Sequence, residues 1–291
     1  NIYDSTNNNV PVADLPTSND GDSEEVVLVK YNHLGEFQWA THCGGYYARF
    51  TPSVVCDADG NVVICFGNAN GSDYAVLVYD TTDNVEPVYE ITDASDDSAV
   101  IVKYNTDGVF QWAVHADGVY DDDVYVYPRI SCDTDSNVYL SHALHSKDLL
   151  IYDKTPEQYV PMPDDFFCVM LNHNHEDMLL YQQPIYTFHS NSNYNYVTIK
   201  FDKDGKLKWL NHIEMDYNPD YTPQCYVDND SENNVILFGN LISSCEIHDI
   251  NNKNIHVFDF NIGPCVIKCM HSKLSLFNNS NISFEIARIR S

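Results

Sequence analysis

The 291 residues carry 43 acidic against 15 basic side chains, a formal charge of −28, and 13% are aromatic, 21 Tyr among them. A surface of that sign repels phosphate backbones and anionic headgroups, which sets aside nucleic acid and membrane surfaces as direct partners. No apolar run of about 18 residues exists to span a bilayer as a helix, and the charge instead suits divalent cations or basic protein surfaces.

Taken along the chain, the elements recur in a fixed order. An Ile-Tyr-Asp strand comes first, at Ile2-Tyr3-Asp4, and returns as Val78-Tyr79-Asp80, Ile151-Tyr152-Asp153 and Ile247-His248-Asp249. A hairpin follows, VLVKYNHLGEFQWATH over Val27 to His42, again as VIVKYNTDGVFQWAVH over Val100 to His115 and VTIKFDKDGKLKWLNH over Val197 to His212. The chain has three Trp, and Trp39, Trp112 and Trp209 all hold one position of this hairpin, each three residues before His42, His115 or His212. A second hairpin closes the unit at Cys56-Asp57-Ala58-Asp59-Gly60-Asn61-Val62 and Cys132-Asp133-Thr134-Asp135-Ser136-Asn137-Val138, with a looser copy from Val227 to Val235.

Repetition at this spacing predicts an array in which each unit needs its neighbours to bury its faces. Residues 1–291 read as a single β-repeat domain with units 2–77, 78–150, 151–246 and an incomplete 247–291. The third unit carries an inserted hairpin over 155–195, which is expected to project from the scaffold. The fourth keeps a degraded hairpin from Pro264 to Phe277 and one more strand-like run, Ile282 to Ile289. Segments are β-branched and aromatic, bounded by Asp, Asn and Gly, and Asp59-Gly60, Asp107-Gly108 and Asp204-Gly205 are hairpin-turn dipeptides. No stretch shows a sustained helical period. The expected fold is all-β: a β-propeller-like array of about four repeat units of four to five antiparallel strands, with a β-solenoid as the competing architecture.

The run VKYNTDGVFQWA followed by CDTDSNVYLS resembles the SBBP-type β-propeller repeats, well in the first three units and poorly in the fourth. That resemblance implies a propeller fold and says little of function. Such repeats occur in bacterial surface proteins and in proteins of amoeba-infecting giant DNA viruses, and the Asn- and Tyr-rich composition resembles the latter. The location it implies is a virion or extracellular surface.

Four sets of residues are candidates for chemistry. The Asp-x-Asp turns pair Asp57 with Asp59, Asp133 with Asp135, Asp202 with Asp204, and Asp228 with Asp230. They supply carboxylates that calcium could use, or side chains that stabilise tight turns. His42, His115 and His212 either converge on a propeller axis as metal ligands or pack within their own blades. Lys30, Lys103, Lys200 and Lys268 hold one position inside an apolar strand, which points to pairing with a repeated Asp or a carbonyl, the alternative being a ligand-binding ring. Asn70, Asn229, Asn278 and Asn281 are N-glycosylation sequons.

The nine Cys (Cys43, Cys56, Cys65, Cys132, Cys168, Cys225, Cys245, Cys265 and Cys269) include no CxxC pair, which leaves buried thiols or at least one disulfide. His142, His145, His173 and His175 form a loose cluster. No GxSxG, HExxH or phosphate-binding glycine loop is present.

The expected function is therefore non-enzymatic: a structural or interaction protein that assembles with copies of itself or other surface or virion proteins, with no cofactor required and calcium possible. A carbohydrate-binding adhesion module that takes glycans is the alternative, and a metal-dependent propeller lyase the third. The first residue is Asn1 rather than Met, so an N-terminal segment was removed or the chain is a piece of something longer.

Overall fold

The computed structural model describes residues 1–6, 10–15, 23–46, 52–68, 75–92, 98–118, 128–144, 148–152, 184–190, 194–215, 225–241, 245–248, 254–258, 263–270, 273–278 and 283–285, and beyond residue 239 as strand pairing alone. These hold twenty-one strands and no helix. The strands come as antiparallel hairpins. β1 (Ser23–Tyr31) turns into β2 (Phe37–Tyr46), β3 (Ser53–Cys56) into β4 (Val62–Asn68), and β5 (Val76–Val78) into β6 (Tyr89–Ile91). The next repeat gives β7 (Ser98–Tyr104) with β8 (Phe110–Gly118), β9 (Arg129–Cys132) with β10 (Val138–Leu144), and β11 (Asp148–Tyr152) with β12 (Tyr186–His189). Then come β13 (Tyr194–Phe201) with β14 (Leu207–Met215), β15 (Cys225–Asn229) with β16 (Val235–Leu241), and β17 (Cys245–His248) with β18 (Asn254–Phe258). Finally β19 (Gly263–Met270) pairs with β20 (Lys273–Asn278), and β21 (Ser283–Glu285) lies alongside β20.

Consecutive hairpins do not stay together. The first sheet runs β1-β2-β5-β6, the second β3-β4-β7-β8-β11-β12, the third β9-β10-β13-β14-β17-β18, and the fourth β15-β16-β19-β20-β21. The second and third sheets each gather the Cys-Asp hairpin of one repeat, the Lys-Trp hairpin of the next and the Ile-Tyr-Asp hairpin of the one after. The sequence unit and the sheet thus do not coincide. A repeat read along the chain is laid across neighbouring sheets, and backbone hydrogen bonds sew each unit to those before and after it.

The second sheet shows why its strands are apolar throughout rather than alternating. Val62, Ile64, Phe66, Val100, Val102 and Tyr104 pack against Val26, Trp39 and Cys43 of the first sheet. On the opposite face Val63, Cys65, Ile101, Trp112 and Val114 pack against Val197, Ile199 and Phe201 of the third. All seven residues of β7 are buried. A strand covered on both sides has no solvent face to carry polar residues.

One turn design serves six hairpins. Asn32, Asp57, Asn105, Asp133, Asp202 and Asp230 each accept, on one side-chain oxygen, the backbone N–H groups two and four residues ahead, at 2.9–3.0 Å. Three residues after each of these the chain enters the left-handed region: at Gly35, Gly60, Gly108 and Gly205, but also at Ser136 (φ 64°) and Asn233 (φ 62°). This is the Asx-stabilised turn with a left-handed fourth residue that suits short hairpin loops.

Along the chain, the added residues of the third repeat fall between β11 and β12. β12, which falls within the expected 155–195 segment, is paired as Ile151↔Tyr186 at the edge of the second sheet. β12 occupies the place that β6 holds in the first sheet, so the added residues precede Tyr186 and do not extend to Asn195, which lies in β13. Of the inserted hairpin expected over 155–195, residues 155–183 and 191–193 lie outside the described residues.

Candidate functional site

The repeated residues converge on the seams between sheets. Trp39 reaches from the first sheet to the turn of the second, its Nε1 donating to Thr106 O at 2.9 Å, and Trp112 repeats the contact one sheet on, donating to Lys203 O at 3.0 Å. Both are buried. Their rings lie on the turn glycines: a Cβ on Gly108 would come within 2.8 Å of Trp39 Cδ2, and one on Gly205 within 2.9 Å of Trp112 Cδ2. Positive φ and the indole above therefore both demand glycine there. Trp209 is half-buried and meets Tyr139 edge-on at 5.8 Å between ring centroids.

The lysines stand one strand over. Lys103 Nζ lies 2.7 Å from Asp57 Oδ2, a pair with almost no solvent exposure, and also donates to Lys203 O at 3.2 Å. Lys200 Nζ lies 3.3 Å from Asp133 Oδ2 and 4.8 Å from the centroid of Tyr139. Lys30 Nζ donates to Thr106 O at 2.7 Å. Lys268 is in register with Ile236 of β16, the place of Lys103 beside Val63. Burial works against the charged form of Asp57, but Lys103 and the Asn61 donors outweigh it and hold the carboxyl below its ordinary value. At Asp133 the same burial is outweighed by Asn137, Tyr139 and Lys200.

The three histidines lie in three different sheets. His42 stacks on Tyr79 at 4.1 Å, with Nδ1 3.1 Å from Glu25 Oε2 and Nε2 3.2 Å from Asn84 O. His115 stacks on Tyr152 at 4.3 Å, its cross-strand partner. His212 meets Phe188 at 4.5 Å and pairs across strands with His248, which replaces the Tyr of the fourth Ile-Tyr-Asp segment. The histidine of one repeat is thus matched to the Ile-Tyr-Asp residue of the next. Burial pushes the His115 imidazole down to about 3. The Asp117 carboxylate lies 3.6 Å away and accepts from Ser98 Oγ at 2.7 Å. Among the described residues no group of three or more His, Cys, Asp or Glu is arranged to hold a metal.

The Asp-x-Asp turns divide by position. The first Asp of each (Asp57, Asp133, Asp202) takes the turn's own backbone N–H groups on Oδ1, and Asp57 and Asp133 turn Oδ2 to Lys103 and Lys200. The second links one turn to the next: Ser136 Oγ donates to Asp59 Oδ2 at 3.2 Å, and Asn233 Nδ2 to Asp135 Oδ2 at 3.2 Å. Among the described residues, the two non-glycine residues at positive φ are therefore those whose side chains reach the preceding turn. Asp204 is exposed at the 202–206 turn. In the third unit the turn begins at Asp230, and Asp228 lies on β15 as an exposed strand residue. Asn229 Oδ1 accepts from Ser131 Oγ at 2.6 Å, and its Nδ2 is buried. Asn70 and Asn281 lie outside the described residues, and Asn278 ends β20.

Sequence reasoning missed two partners. Asp4 and Asp80, of the Ile-Tyr-Asp strands, accept the N–H of Phe37 at 3.0 Å and of Phe110 at 2.9 Å, tying each strand to the following hairpin. Their other oxygens take Thr6 and Thr82. The signal was present as Asp-x-Thr at Asp4–Thr6, Asp80–Thr82 and Asp153–Thr155. Of the cysteines, Cys43, Cys65 and Cys225 are buried free thiols, and Cys56 and Cys132 are free as well. Burial pushes Cys65 and Cys132 up to about 12. His142 is buried in β10, while His145, His173 and His175 lie outside the described residues.

At the second seam a polar cleft of about 260 Å³ opens beside Trp112, lined by Asp59, Asn61, Lys103, Gln111, Lys203 and Asp204. It offers charges of both signs, with Lys103 already held by Asp57.

No protein-family model matches the chain. Over 127 residues it is 28% identical to an uncharacterized WD repeat-containing protein of Acanthamoeba polyphaga mimivirus. The matched stretch covers 40% of this chain, which spans only 8% of that relative's length. Sheets stacked face to face and a WD-repeat relative from a giant virus agree on an all-β repeat protein of propeller type.

Proposed function

We propose that this protein is a non-enzymatic interaction scaffold built of SBBP-type repeats, a virion or extracellular-surface component that assembles with copies of itself or with other surface proteins. One observation carries this reading: each described Trp, Lys and His of the repeat is engaged in holding strands and sheets together. The chemistry that recurs is architectural, and what varies from repeat to repeat is loops and sheet edges, where partners are met. The WD-repeat relative agrees with a role in protein interaction. The −28 charge opposes close approach of copies, and salt or calcium relieves it by screening.

Sedimentation velocity over a range of protein concentration, sodium chloride and calcium chloride tests the proposal. Assembly that strengthens with either salt is expected, and a strictly monomeric species throughout removes self-assembly from the reading. A second reading, glycan binding, is favoured by the exposed rings of Tyr31, Tyr89 and Tyr226. A glycan array separates it from the first.

A further inference from the structure

The outward face of the first sheet repeats, position for position, a face that the second and third sheets bury. Val27, Val29 and Tyr31 stand where the second sheet has Val100, Val102 and Tyr104 and the third has Val197, Ile199 and Phe201. Those six are fully buried against the preceding sheet, whereas Val27 is 54% and Tyr31 43% exposed. The edge differs in the same sense. β7 and β13 each have a Cys-Asp hairpin alongside, through β4 and β10, while β1 ends its sheet among the described residues. Lys30 shows the matching gap in charge. Lys103 and Lys200 meet Asp57 and Asp133 from those hairpins, and Lys30, among the described residues, meets the carbonyl of Thr106 and the Trp39 ring but no carboxylate. The chain's own Cys-Asp hairpins are already placed in the second, third and fourth sheets.

We propose that this face and edge form a docking surface for a further β-repeat of the same kind. The incoming repeat adds its Cys-Asp-x-Asp-x-Asn hairpin to β1, sets the first Asp against Lys30 and covers Val27, Val29 and Tyr31 with a sheet face. The contact is one the molecule makes twice already, with the same residue types at the same register. An open edge gives the backbone template, the apolar stripe gives the area, and the lysine selects an acidic hairpin in an otherwise acidic molecule. The proposal rests on the reading of the chain as an interaction scaffold and names the surface that reading uses.

The test is hydrogen exchange on the full chain extended at its N-terminus by a copy of residues 129–147, so that an added hairpin precedes Ile2 as β9–β10 precede Ile151. Amides of β1 that do not pair with β2 are expected to slow by about tenfold, the factor an ordinary net hydrogen bond supplies. Lys30→Ala, or Asn in place of the copied Asp133, removes the protection. A peptide of the same sequence, added in excess to the unextended chain, gives the same pattern. Unchanged β1 exchange in both formats overturns the proposal. So does equal protection by a scrambled hairpin, or protection indifferent to Lys30→Ala. If exchange is unchanged while sedimentation still shows assembly, the surface is wrong and the scaffold reading stands; protection of β1 in a strictly monomeric protein gives the reverse.

Discussion

Trp112 and Lys103 sit one strand apart and secure the same seam by different physics. Trp112 is 3% exposed, so Trp112→Ala leaves a large void and should cost about 3–5 kcal/mol in urea denaturation. The half-buried Trp209 should lose less on the same change. Lys103→Met strands the Asp57 carboxylate without its counter-charge, and a loss of roughly 3–5 kcal/mol is expected, as for breaking other buried pairs. Asp57→Asn in the same background should recover part of it, and failure to do so would show that the pair is not the source of the loss.

His115 supplies the acid limb of the stability profile. Its folded value is depressed to about 3, from an ordinary 6.5, so the unfolded chain takes up the proton first. Stability is whole above the ordinary value and falls as pH drops from there toward about 3. His115→Phe keeps a ring on Tyr152 and should flatten that slope between neutral pH and pH 5 in melts at stepped pH. Asp57 and Asp133, also depressed, act lower: their contribution is present above the ordinary carboxylate value and disappears as pH falls through the folded one.

Among the elements, the turns make the sharpest claim. Ser136 and Asn233 accept left-handed backbone because their side chains bind the turn before them. Asn233→Gly removes the bonds to Asp135 and Thr134 but relaxes the backbone, whereas Asn233→Ala removes the same bonds and keeps the strain. The Ala variant should be the less stable by about 1 kcal/mol in thermal or urea unfolding; equal variants would mean the positive φ costs nothing here. The β11–β12 connection gives a second claim. Replacing residues 153–185 by the shorter Asp80–Val88 segment should leave one cooperative transition, because β12 needs only its register with β11.

For the molecule as a whole, interlacing sets cooperativity. Every sheet draws hairpins from more than one repeat, so a repeat cannot detach without opening its neighbours' sheets. Unfolding should be a single transition for the first three sheets, read by coincident tryptophan and far-UV signals, in contrast to arrays whose units meet only at their surfaces. Two separated transitions, one keeping Trp39 native, would argue against that coupling.

The sequence by itself determined the secondary structure, the order of the three hairpin types and the positions that recur. Each is encoded locally, in β-branched runs, Asx-Gly turns and spacing. It also marked Lys30, Lys103 and Lys200 as one strand position, because a charge inside an apolar run is legible without a fold. Only the tertiary structure decided which hairpin lies beside which. Backbone pairing carries no residue code, so nothing in the chain announces that β4 pairs with β7 rather than β5. From that pairing follow the match of Lys103 to Asp57, of His115 to Tyr152 in the next repeat, and of Ser136 to Asp59. Each joins residues far apart in the chain, and each is set by how the sheets stack to bury faces that no single repeat can cover.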